Sequence, residues 1–306
     1  MPGCEADDRY KMKPYLADPV ETKKVIAKYD FAFRKQFGQN FLIDAAVPEA
    51  IVRAAGLTKN DTVLEIGPGI GTMTQYLSEA AGKVIAVEID KELIPILQDT
   101  LAGFDNVQVL QGDIMKTDLA ALIAENGGGP IKVVANLPYY ITTPILMKLL
   151  AGREAISLMA VMVQEEVAKR IVSGPGSKDY GALSVGVQYY ADPEIVCRAA
   201  PSAFMPQPKV ASSVLRLVKR SEPPVRPRNE EYMFAVVKAA FLQRRKTLPN
   251  ALSGYAPLGI SRDQAAAAME RLGLDARLRG ETLTMEQFAA LSDEIHCHPE
   301  RSEGSS

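Results

Sequence analysis

Two polar features, separated by one predicted helix, could together bind a nucleoside. The segment V-L-E-I-G-P-G-I-G places Gly67, Gly69 and Gly71 directly after an apolar strand, and Glu88 ends the next strand. A glycine cluster alone would indicate only a tight turn, but glycine also allows a ligand to approach the backbone closely. The spacing G-x-G-x-G differs from the G-x-G-x-x-G of a dinucleotide pyrophosphate loop.

A carboxylate at the position of Glu88 can accept both hydroxyl groups of a ribose. Because the phosphate-specific glycine spacing is missing, the pattern favours a nucleoside ligand without phosphates over a nicotinamide cofactor. S-adenosylmethionine is the commonest ligand of this kind, and we expect it to be the cofactor.

Two further polar side chains follow the third and fourth strands of this region. Asp113 stands in Q-G-D-I-M and could accept a hydrogen bond from an adenine amino group, or it could merely cap the next helix. Asn136 ends the fourth strand in V-V-A-N-L-P-Y-Y. Parallel strands bring their carboxyl ends to one edge of a sheet, where ligands bind in open α/β folds. We therefore expect the same edge of the sheet to carry Gly67, Glu88, Asp113 and Asn136.

The segment N-L-P-Y could activate an amine. The lone pair of an adenine amine is delocalised into the ring, but the nitrogen becomes pyramidal if the Asn136 side-chain oxygen and the Leu137 carbonyl accept its two N–H bonds. Pro138 would fix the turn, and Tyr139 would offer a flat face to an extruded base. Orientation of this kind can lower the barrier by up to roughly 7–11 kcal/mol without a general base. The alternative is an Asn-capped turn with packed tyrosines, and Tyr140 has no assigned role.

The elements that must position these residues follow from the hydrophobic pattern. Strand and helix signals alternate between residues 62 and 163, which is typical of a parallel sheet with helices on both faces. Helices are also predicted ahead of this region, over 20–29 and 45–55. The predicted strands are 62–66, 84–88, 107–110, 132–135 and 157–163, and the helices between them are 72–81, 91–101, 119–125 and 144–150.

The pattern changes after Ser184, where three predicted strands lack long helices between them. They cover 184–190, 195–198 and 212–218, and antiparallel additions at the sheet edge would fit them. Prolines 223, 224 and 227 indicate a linker, and three helices follow over 231–242, 262–272 and 285–295. We expect four regions: a lead-in with a short helix over 1–28, a Rossmann-like domain over 29–220, an all-α domain over 221–295 and a disordered tail over 296–306.

Composition excludes several classes of protein. Hydrophobic residues make up 47% of the 306 residues and charged residues 24%, as in ordinary globular proteins. No apolar stretch approaches the about 20 residues needed to cross a bilayer, and no secretory signal is evident. The three scattered cysteines fit a reducing compartment, so a cytoplasmic location without a membrane partner is expected.

The histidine count limits the chemistry further. The two histidines, His296 and His298, both lie in the predicted tail. Neither a Ser-His-Asp triad nor a histidine-ligated metal site fits such a chain, and we expect no metal.

A net charge of −2 conceals a basic region. Residues 205–250 contain ten basic and three acidic residues, a surplus of seven positive charges. Arg244, Arg245 and Lys246 could simply form a solvated helix end, but together with Lys209 they favour contacts with RNA phosphates.

Five motifs in order reveal a resemblance to a known family. They are F-G-Q-N-F-L at 37–42, E-I-G-P-G-I-G at 65–71, N-L-P-Y-Y-I-T-T at 136–143, A-F-M-P-Q-P-K-V at 203–210 and F-L-Q-R-R-K-T-L at 241–248. From about residue 20 to 295 the chain resembles the bacterial small-subunit ribosomal RNA adenine dimethyltransferases. The resemblance implies dimethylation of two adjacent adenosines near the 3′ end of 16S RNA, in the small ribosomal subunit or its precursor, and an RNA-binding role for the helical domain.

The resemblance also implies roles for individual residues. Phe204 would stack on the base opposite Tyr139, with core packing as the alternative. The Asn40 side chain and the Leu42 backbone would close over the methionine end of the cofactor, although they could merely cap the following helix. Glu65 is expected to be a structural hydrogen-bond acceptor near the glycine loop.

Two alternatives remain open. The antibiotic-resistance methyltransferases that dimethylate an adenine of 23S RNA share the glycine loop and the N-[IL]-P-Y motif, but the segments at 203–210 and 243–248 favour the small-subunit family. A non-catalytic assembly or transcription factor could have lost Asn136 or Tyr139, yet both are present. Nothing calls for an obligate dimer, so we expect a monomer.

Overall fold

The computed structural model describes residues 14–34, 37–152 and 155–297. Residues 1–13 of the predicted lead-in and 298–306 of the predicted tail therefore lie outside the described residues. The chain divides into two compact units. The first comprises the residues up to Ala168 together with Asp192–Lys219, and the second comprises Lys169–Ala191 together with the residues from Arg220 onward.

A seven-stranded sheet forms the centre of the first unit. Its strands are β2 Thr62–Ile66, β3 Lys83–Glu88, β4 Val107–Gln111, β5 Ile131–Asn136, β6 Ile156–Gln164, β7 Ala191–Ala199 and β9 Ser212–Lys219. They lie in the order β4-β3-β2-β5-β6-β9-β7, and the five strands from β2 to β6 pair in parallel. β9 runs antiparallel to β6, which confirms the predicted antiparallel edge.

Two very short strands form a separate sheet. β1, Phe41–Leu42, pairs antiparallel with β8, Phe204–Met205. The Ile43 N–H extends the pairing by donating to the Ala203 carbonyl over 2.9 Å. This contact joins two of the sequence motifs that lie farthest apart in the first unit.

The central strands are buried on both faces, which explains their continuous apolar sequences. Val63, Val84 and Val134 have no exposed surface, and they share one core cluster with Ile51 and Leu77 of the flanking helices. The helices of this unit are α1 Pro19–Lys28, α2 Ala46–Ala55, α3 Thr72–Ala80, α4 Leu93–Thr100, α5 Leu119–Glu125 and α6 Thr142–Ala151.

The prediction of a strand over 184–190 was wrong. Helix α8 covers Ala182–Tyr190, and it follows α7, Glu165–Val172, which the pattern did not predict. A short apolar run cannot be assigned by periodicity alone, and tertiary packing decides here. Val185 is fully buried and shares a cluster with helices of the second unit, while the Ser184 hydroxyl accepts from the Gly181 N–H over 3.0 Å at the helix start.

The second unit is helical, in agreement with the predicted C-terminal domain. Three predicted helices are confirmed as α9, Glu230–Leu242, α11, Arg262–Arg271, and α12, Met285–Cys297, whereas α10, Leu248–Ser253, was not predicted. Phe288 and Leu291 are fully buried at the centre of its core. No described helix is long and apolar enough to span a bilayer.

The domain boundaries differ from the prediction in one segment. Residues 169–191 were expected in the 29–220 domain, but Lys169–Ala191 belongs to the second unit. Tyr180 and Val185 account for this, since both are buried in the core cluster of α9 to α12, and the Tyr180 hydroxyl donates to the Leu283 carbonyl over 3.1 Å.

Candidate active site

A cleft opens at the carboxyl edge of the parallel strands, within the first unit, and the glycine loop forms one wall. Gly67, Gly69 and Gly71 have φ values of 70°, 63° and 93°, in the left-handed region that favours glycine. A Cβ on Gly69 would lie 3.0 Å from the Phe41 ring. Gly67 and Gly69 line the cleft.

Gly71 has a different position from the other two glycines. It precedes the first residue of α3 and does not line the cleft, and a Cβ there would lie 3.1 Å from both Leu101 and Thr100. The structure therefore gives Gly71 a packing role that allows the loop to pass close to α4.

Glu88 lies in the cleft wall, where the sequence places a ribose acceptor. It is 4% exposed, and its carboxylate accepts the N–H groups of Gly69 over 3.1 Å and of Asp90 over 2.8 Å. Burial raises the pKa of Glu88 to about 7, although these hydrogen bonds favour the ionised form. Two backbone donors thus hold the carboxylate in one orientation.

Glu65 is a second buried acid of the cleft, although the sequence predicted only a structural role for it. It lines the cleft at 2% exposure, and its Oε2 has no hydrogen-bond partner among the described residues. Burial raises the pKa of Glu65 to about 8, and the nearby Glu88 carboxylate adds to the shift. The hydroxyls of Thr72 and Thr74 are also buried without a partner, and Thr72 lines the cleft.

These orphaned polar atoms bear on the expected cofactor. A buried polar group without a partner costs about 1–3 kcal/mol, so such groups indicate a missing ligand or water. Glu65 and Thr72 offer acceptors to a cationic, N–H-rich group, and Glu88 offers a carboxylate to hydroxyl groups. The residues present therefore fit S-adenosylmethionine, which has a positively charged amino-acid end and a ribose. Thr72 was not predicted as a site residue, but its position directly after Gly71, the last glycine of the loop, could have indicated it.

The pairing of β1 with β8 brings two motifs to the cleft. Asn40, Leu42 and Phe204 all line it, and Leu42 lies opposite Phe204 in the strand register. Phe204 is only 2% exposed and belongs to the core cluster that includes Leu42 and Met73. Its ring is therefore covered, as the packing alternative requires, and base stacking by this cleft-lining residue stays a prediction.

The acceptor segment forms a second wall of the cleft, at the end of β5, which is the sheet neighbour of β2. Asn136 donates through Nδ2 to the Asn40 carbonyl over 3.2 Å, and no described residue donates to its Oδ1. Leu137 is 1% exposed, and its N–H donates to the Met162 carbonyl over 3.1 Å. The segment is thus tied both to the sheet and to the motif at residues 37–42.

Pro138 and Tyr139 complete this wall. The Pro138 carbonyl accepts from the Ile141 N–H over 3.2 Å and from the Thr142 hydroxyl over 3.0 Å, which closes the turn at the start of α6. The Tyr139 hydroxyl lies 3.0 Å from that of Ser212, so its half-buried ring is fixed at the cleft. Tyr140, which had no predicted role, is 60% exposed.

Asp113 lies beyond the end of β4 and does not line the cleft. Its Oδ1 accepts the Met115 N–H over 2.9 Å, and the preceding Gly112 donates to the Glu88 carbonyl over 2.8 Å. The helix-cap alternative is wrong for Asp113, because Asp118 caps α5 by accepting from the Ala121 N–H over 3.0 Å. The structure thus brings Asp113 beside Glu88, on a turn of its own.

The four predicted RNA-contacting residues are all exposed. Lys209 belongs to the first unit, and Arg244, Arg245 and Lys246 belong to the second. Arg244 already donates to the Lys178 carbonyl over 2.9 Å and pairs with Glu281 over 3.2 Å. No ion pair is recorded between Arg245 or Lys246 and any described residue, so their charges are available.

An open, mostly parallel sheet brings a left-handed glycine loop, a buried acid and an N-L-P-Y segment to one edge, and this combination defines the class. The protein is an S-adenosylmethionine-dependent methyltransferase. A family profile described as "Ribosomal RNA adenine dimethylase" matches residues 30–296. The chain belongs to this family, and its enzyme activity is adenine methylation in ribosomal RNA.

Individual relatives agree with this assignment. The chain is 56% identical over 283 residues to "Ribosomal RNA small subunit methyltransferase A" of Lachnoclostridium phytofermentans, covering 92% of this chain and 98% of that one. It is 50% identical over 283 residues to the protein of the same name from Geobacillus thermodenitrificans, with coverages of 92% and 97%.

Solved structures show the same architecture. A dimethyladenosine transferase from Plasmodium falciparum superposes with a TM-score of 0.69 at 26% identity, covering 82% of this chain and 95% of that chain. The 23S rRNA methyltransferase ErmE superposes with a TM-score of 0.62 at 26% identity, covering 84% and 100%. Fold likeness alone therefore does not separate the two kinds of ribosomal RNA substrate.

Proposed function

We propose that this enzyme dimethylates the exocyclic amines of two adjacent adenosines near the 3′ end of 16S ribosomal RNA, in the cytoplasm and as a monomer. The observation that supports it best is the position of Asn136, which lines the same cleft as Glu88 and Glu65 and whose side-chain oxygen has no donor among the described residues. The name shared by the relatives, which specifies the small ribosomal subunit, supports the choice of substrate.

The cofactor-binding residues act by orientation and charge. Glu88 would accept the ribose hydroxyls, Asp113 the adenine amino group, and the Gly67–Gly69 turn would allow close approach of the backbone. Asn40 and Leu42 would close over the methionine end, beside Glu65 and Thr72. When bound, S-adenosylmethionine supplies an electrophilic methyl group on a sulfonium.

The acceptor residues hold the amine that receives the methyl group. The Asn136 side-chain oxygen and the Leu137 carbonyl would each accept one N–H bond, which makes the nitrogen pyramidal and exposes its lone pair. Tyr139, held by Ser212, would stack on the extruded base, with Phe204 behind the opposite face. The amine loses its proton to solvent after transfer, so no side chain has to act as a base.

Exposed cations would bind the substrate outside the cleft. Arg245, Lys246 and Lys209 would contact phosphates, which positions RNA without selecting a base. Arg244 would contribute less, because Glu281 partly neutralises its charge.

The test compares substrates directly. Purified enzyme with radiolabelled S-adenosylmethionine is offered immature 30S subunits and, separately, protein-free 23S RNA. We expect label in 16S RNA from the subunits and none in 23S RNA. Label in 23S RNA alone would overturn the proposed substrate in favour of the resistance-type activity, and binding without transfer would favour a non-catalytic factor.

A further inference from the structure

The side chain of Lys148 makes an unusual set of contacts in the first unit. Lys148 lies on α6, and its Nζ donates to three main-chain carbonyls, those of Ile114, Met115 and Thr117, each over 2.9 Å. A lysine ammonium has three donors, so all of them are used on one loop. No carboxylate pairs with Lys148 among the described residues.

The loop that Lys148 holds is the one that carries Asp113. The Asp113 carboxylate accepts the Met115 N–H, and the Asp113 carbonyl accepts the N–H groups of Lys116 over 2.8 Å and Thr117 over 3.0 Å. The turn is thus closed on itself by local bonds, and the ammonium of Lys148 attaches it to a helix. Charge-assisted hydrogen bonds are stronger than neutral ones, so this attachment restrains the loop.

The same helix is attached to the acceptor segment. α6 begins at Thr142, whose hydroxyl donates to the Pro138 carbonyl over 3.0 Å. Lys148 is six residues further along, about 9 Å at the helical rise of 1.5 Å per residue. One rigid element therefore spans from the turn after Asn136 to the turn that carries Asp113.

We infer that Lys148 is a positioning residue for adenosine recognition: it fixes the Asp113 turn relative to α6, and so to the acceptor segment, and thereby maintains the preference for a cofactor with an adenine amino group. The inference rests on the proposed role of Asp113. It does not require Lys148 to touch the cofactor or the RNA. Without the ammonium, three carbonyls lose their donor, and the turn can move away from the edge of the sheet.

The test measures a ratio of affinities. Calorimetry gives the dissociation constants of S-adenosylhomocysteine and of S-inosylhomocysteine, in which a carbonyl oxygen replaces the amino group. Lys148→Met should lower the preference for the adenosyl compound about fivefold, the equivalent of one ordinary hydrogen bond. Lys148→Arg, which can still donate to carbonyls, should retain most of the preference. If the Met variant does not fold, Lys148→Ala gives the same readout.

Lys132 provides a matched control. It is a half-buried lysine of the same unit that donates to the Gly56 carbonyl over 2.8 Å and pairs with Asp61 over 3.1 Å, away from the Asp113 turn. Lys132→Met should lower the melting temperature without changing the ratio of affinities. A ratio that falls equally in both variants would mean a general loss of structure and would overturn the inference.

Asp113→Ala separates the inference from the assignment on which it depends. We expect this variant to lose most of the preference, and the double variant with Lys148→Met to lose no more than Asp113→Ala alone. If Asp113→Ala keeps the full preference, the assignment of Asp113 and the inference both fail. If Asp113→Ala loses the preference while Lys148→Met keeps it, the inference alone fails.

Discussion

The two walls of the cleft differ in how the protein holds the side chain that would accept hydrogen bonds from a ligand, Glu88 on one wall and Asn136 on the other. On the glycine-loop side, both carboxylate oxygens of Glu88 accept backbone N–H groups, and the Gly67 N–H donates to the Val87 carbonyl over 3.0 Å. On the acceptor side, the side chain of Asn136 makes one hydrogen bond to a described residue, through its nitrogen. The Glu88 carboxylate is thus held in one orientation before the cofactor binds. The Asn136 side-chain oxygen, in contrast, is left to accept from the substrate amine that binds in each catalytic cycle.

The comparison explains why substitutions in the two walls should have different consequences. A change in the glycine-loop wall alters a preformed shape and should reduce cofactor affinity. A change in the acceptor wall removes an interaction made with the reacting amine and should reduce the rate of transfer.

Asn136→Ala should have the largest effect. We expect transfer to fall at least about 100-fold, because misalignment of the amine alone can cost that much, while RNA binding is preserved. Single-turnover transfer and filter binding of RNA measure the two quantities. The control is Asn126→Ala. Asn126 is a half-buried asparagine at the end of α5, and its side chain donates to the Leu122 carbonyl over 2.7 Å. Undiminished transfer by Asn136→Ala would contradict the role of the amide.

Gly69→Ala should act on the other wall. Gly69 has a φ of 63°, and an added Cβ would lie 3.0 Å from the Phe41 ring, so alanine should displace the loop. We therefore expect cofactor affinity to fall about tenfold. Gly128→Ala is the matched control, since its φ is 67° but a Cβ there meets nothing within 4 Å. Equilibrium dialysis with S-adenosylhomocysteine should separate the two variants, and equal affinities would contradict a shape-determining role for Gly69.

The buried acids of the glycine-loop wall predict a pH dependence. Burial raises the pKa of Glu65 to about 8 and of Glu88 to about 7, from 4.5. A raised carboxyl pKa stabilises the folded protein below pH 4.5, and this contribution is lost as pH rises through 7 and 8. The melting temperature of the free protein should therefore fall less between pH 5.5 and 8.5 in Glu65→Gln than in the wild type. Identical pH profiles would contradict the burial argument.

Cofactor affinity should show the opposite trend with pH. The ionised Glu88 carboxylate accepts ribose hydroxyls more strongly than the protonated acid, so affinity should rise as pH increases through about 7. Titration calorimetry at several pH values measures this rise, and Glu88→Gln should remove it along with most of the affinity.

The smallest effect is expected outside the cleft. Arg245→Glu plus Lys246→Glu should weaken binding of the ribosomal subunit about tenfold and flatten its salt dependence, since fewer phosphates are neutralised. Cofactor affinity should not change. Arg262→Glu plus Arg277→Glu, at two exposed positions of the same unit, is the control. Equal loss of cofactor and RNA binding would indicate misfolding.

The sequence predicted those parts of the fold that depend on local pattern. β2 and α5 occur at the predicted residues, because each is an apolar run between clear turn signals. Gly67, Glu88 and Asn136 lie at one edge as expected, since parallel strands leave little choice.

Non-local contacts could not be predicted in this way. β1 and β8 are two residues long, so nothing in their own sequences specifies that they pair. The helix α8 contains β-branched residues and a glycine, and it is helical because it packs in the core of the second unit. The orphaned atoms of Glu65 and Thr72 depend on burial, which no motif specifies.

Mass spectrometry of the 3′-terminal fragment of 16S RNA tests the central claim most directly. Immature small subunits are incubated with the enzyme and S-adenosylmethionine, and the fragment is sequenced by its masses, with Asn136→Ala in parallel. The account predicts two adjacent adenosines that each carry two methyl groups on the exocyclic nitrogen, and unmodified RNA with the variant. Methyl groups on another atom or base, or equal modification by the variant, would contradict it.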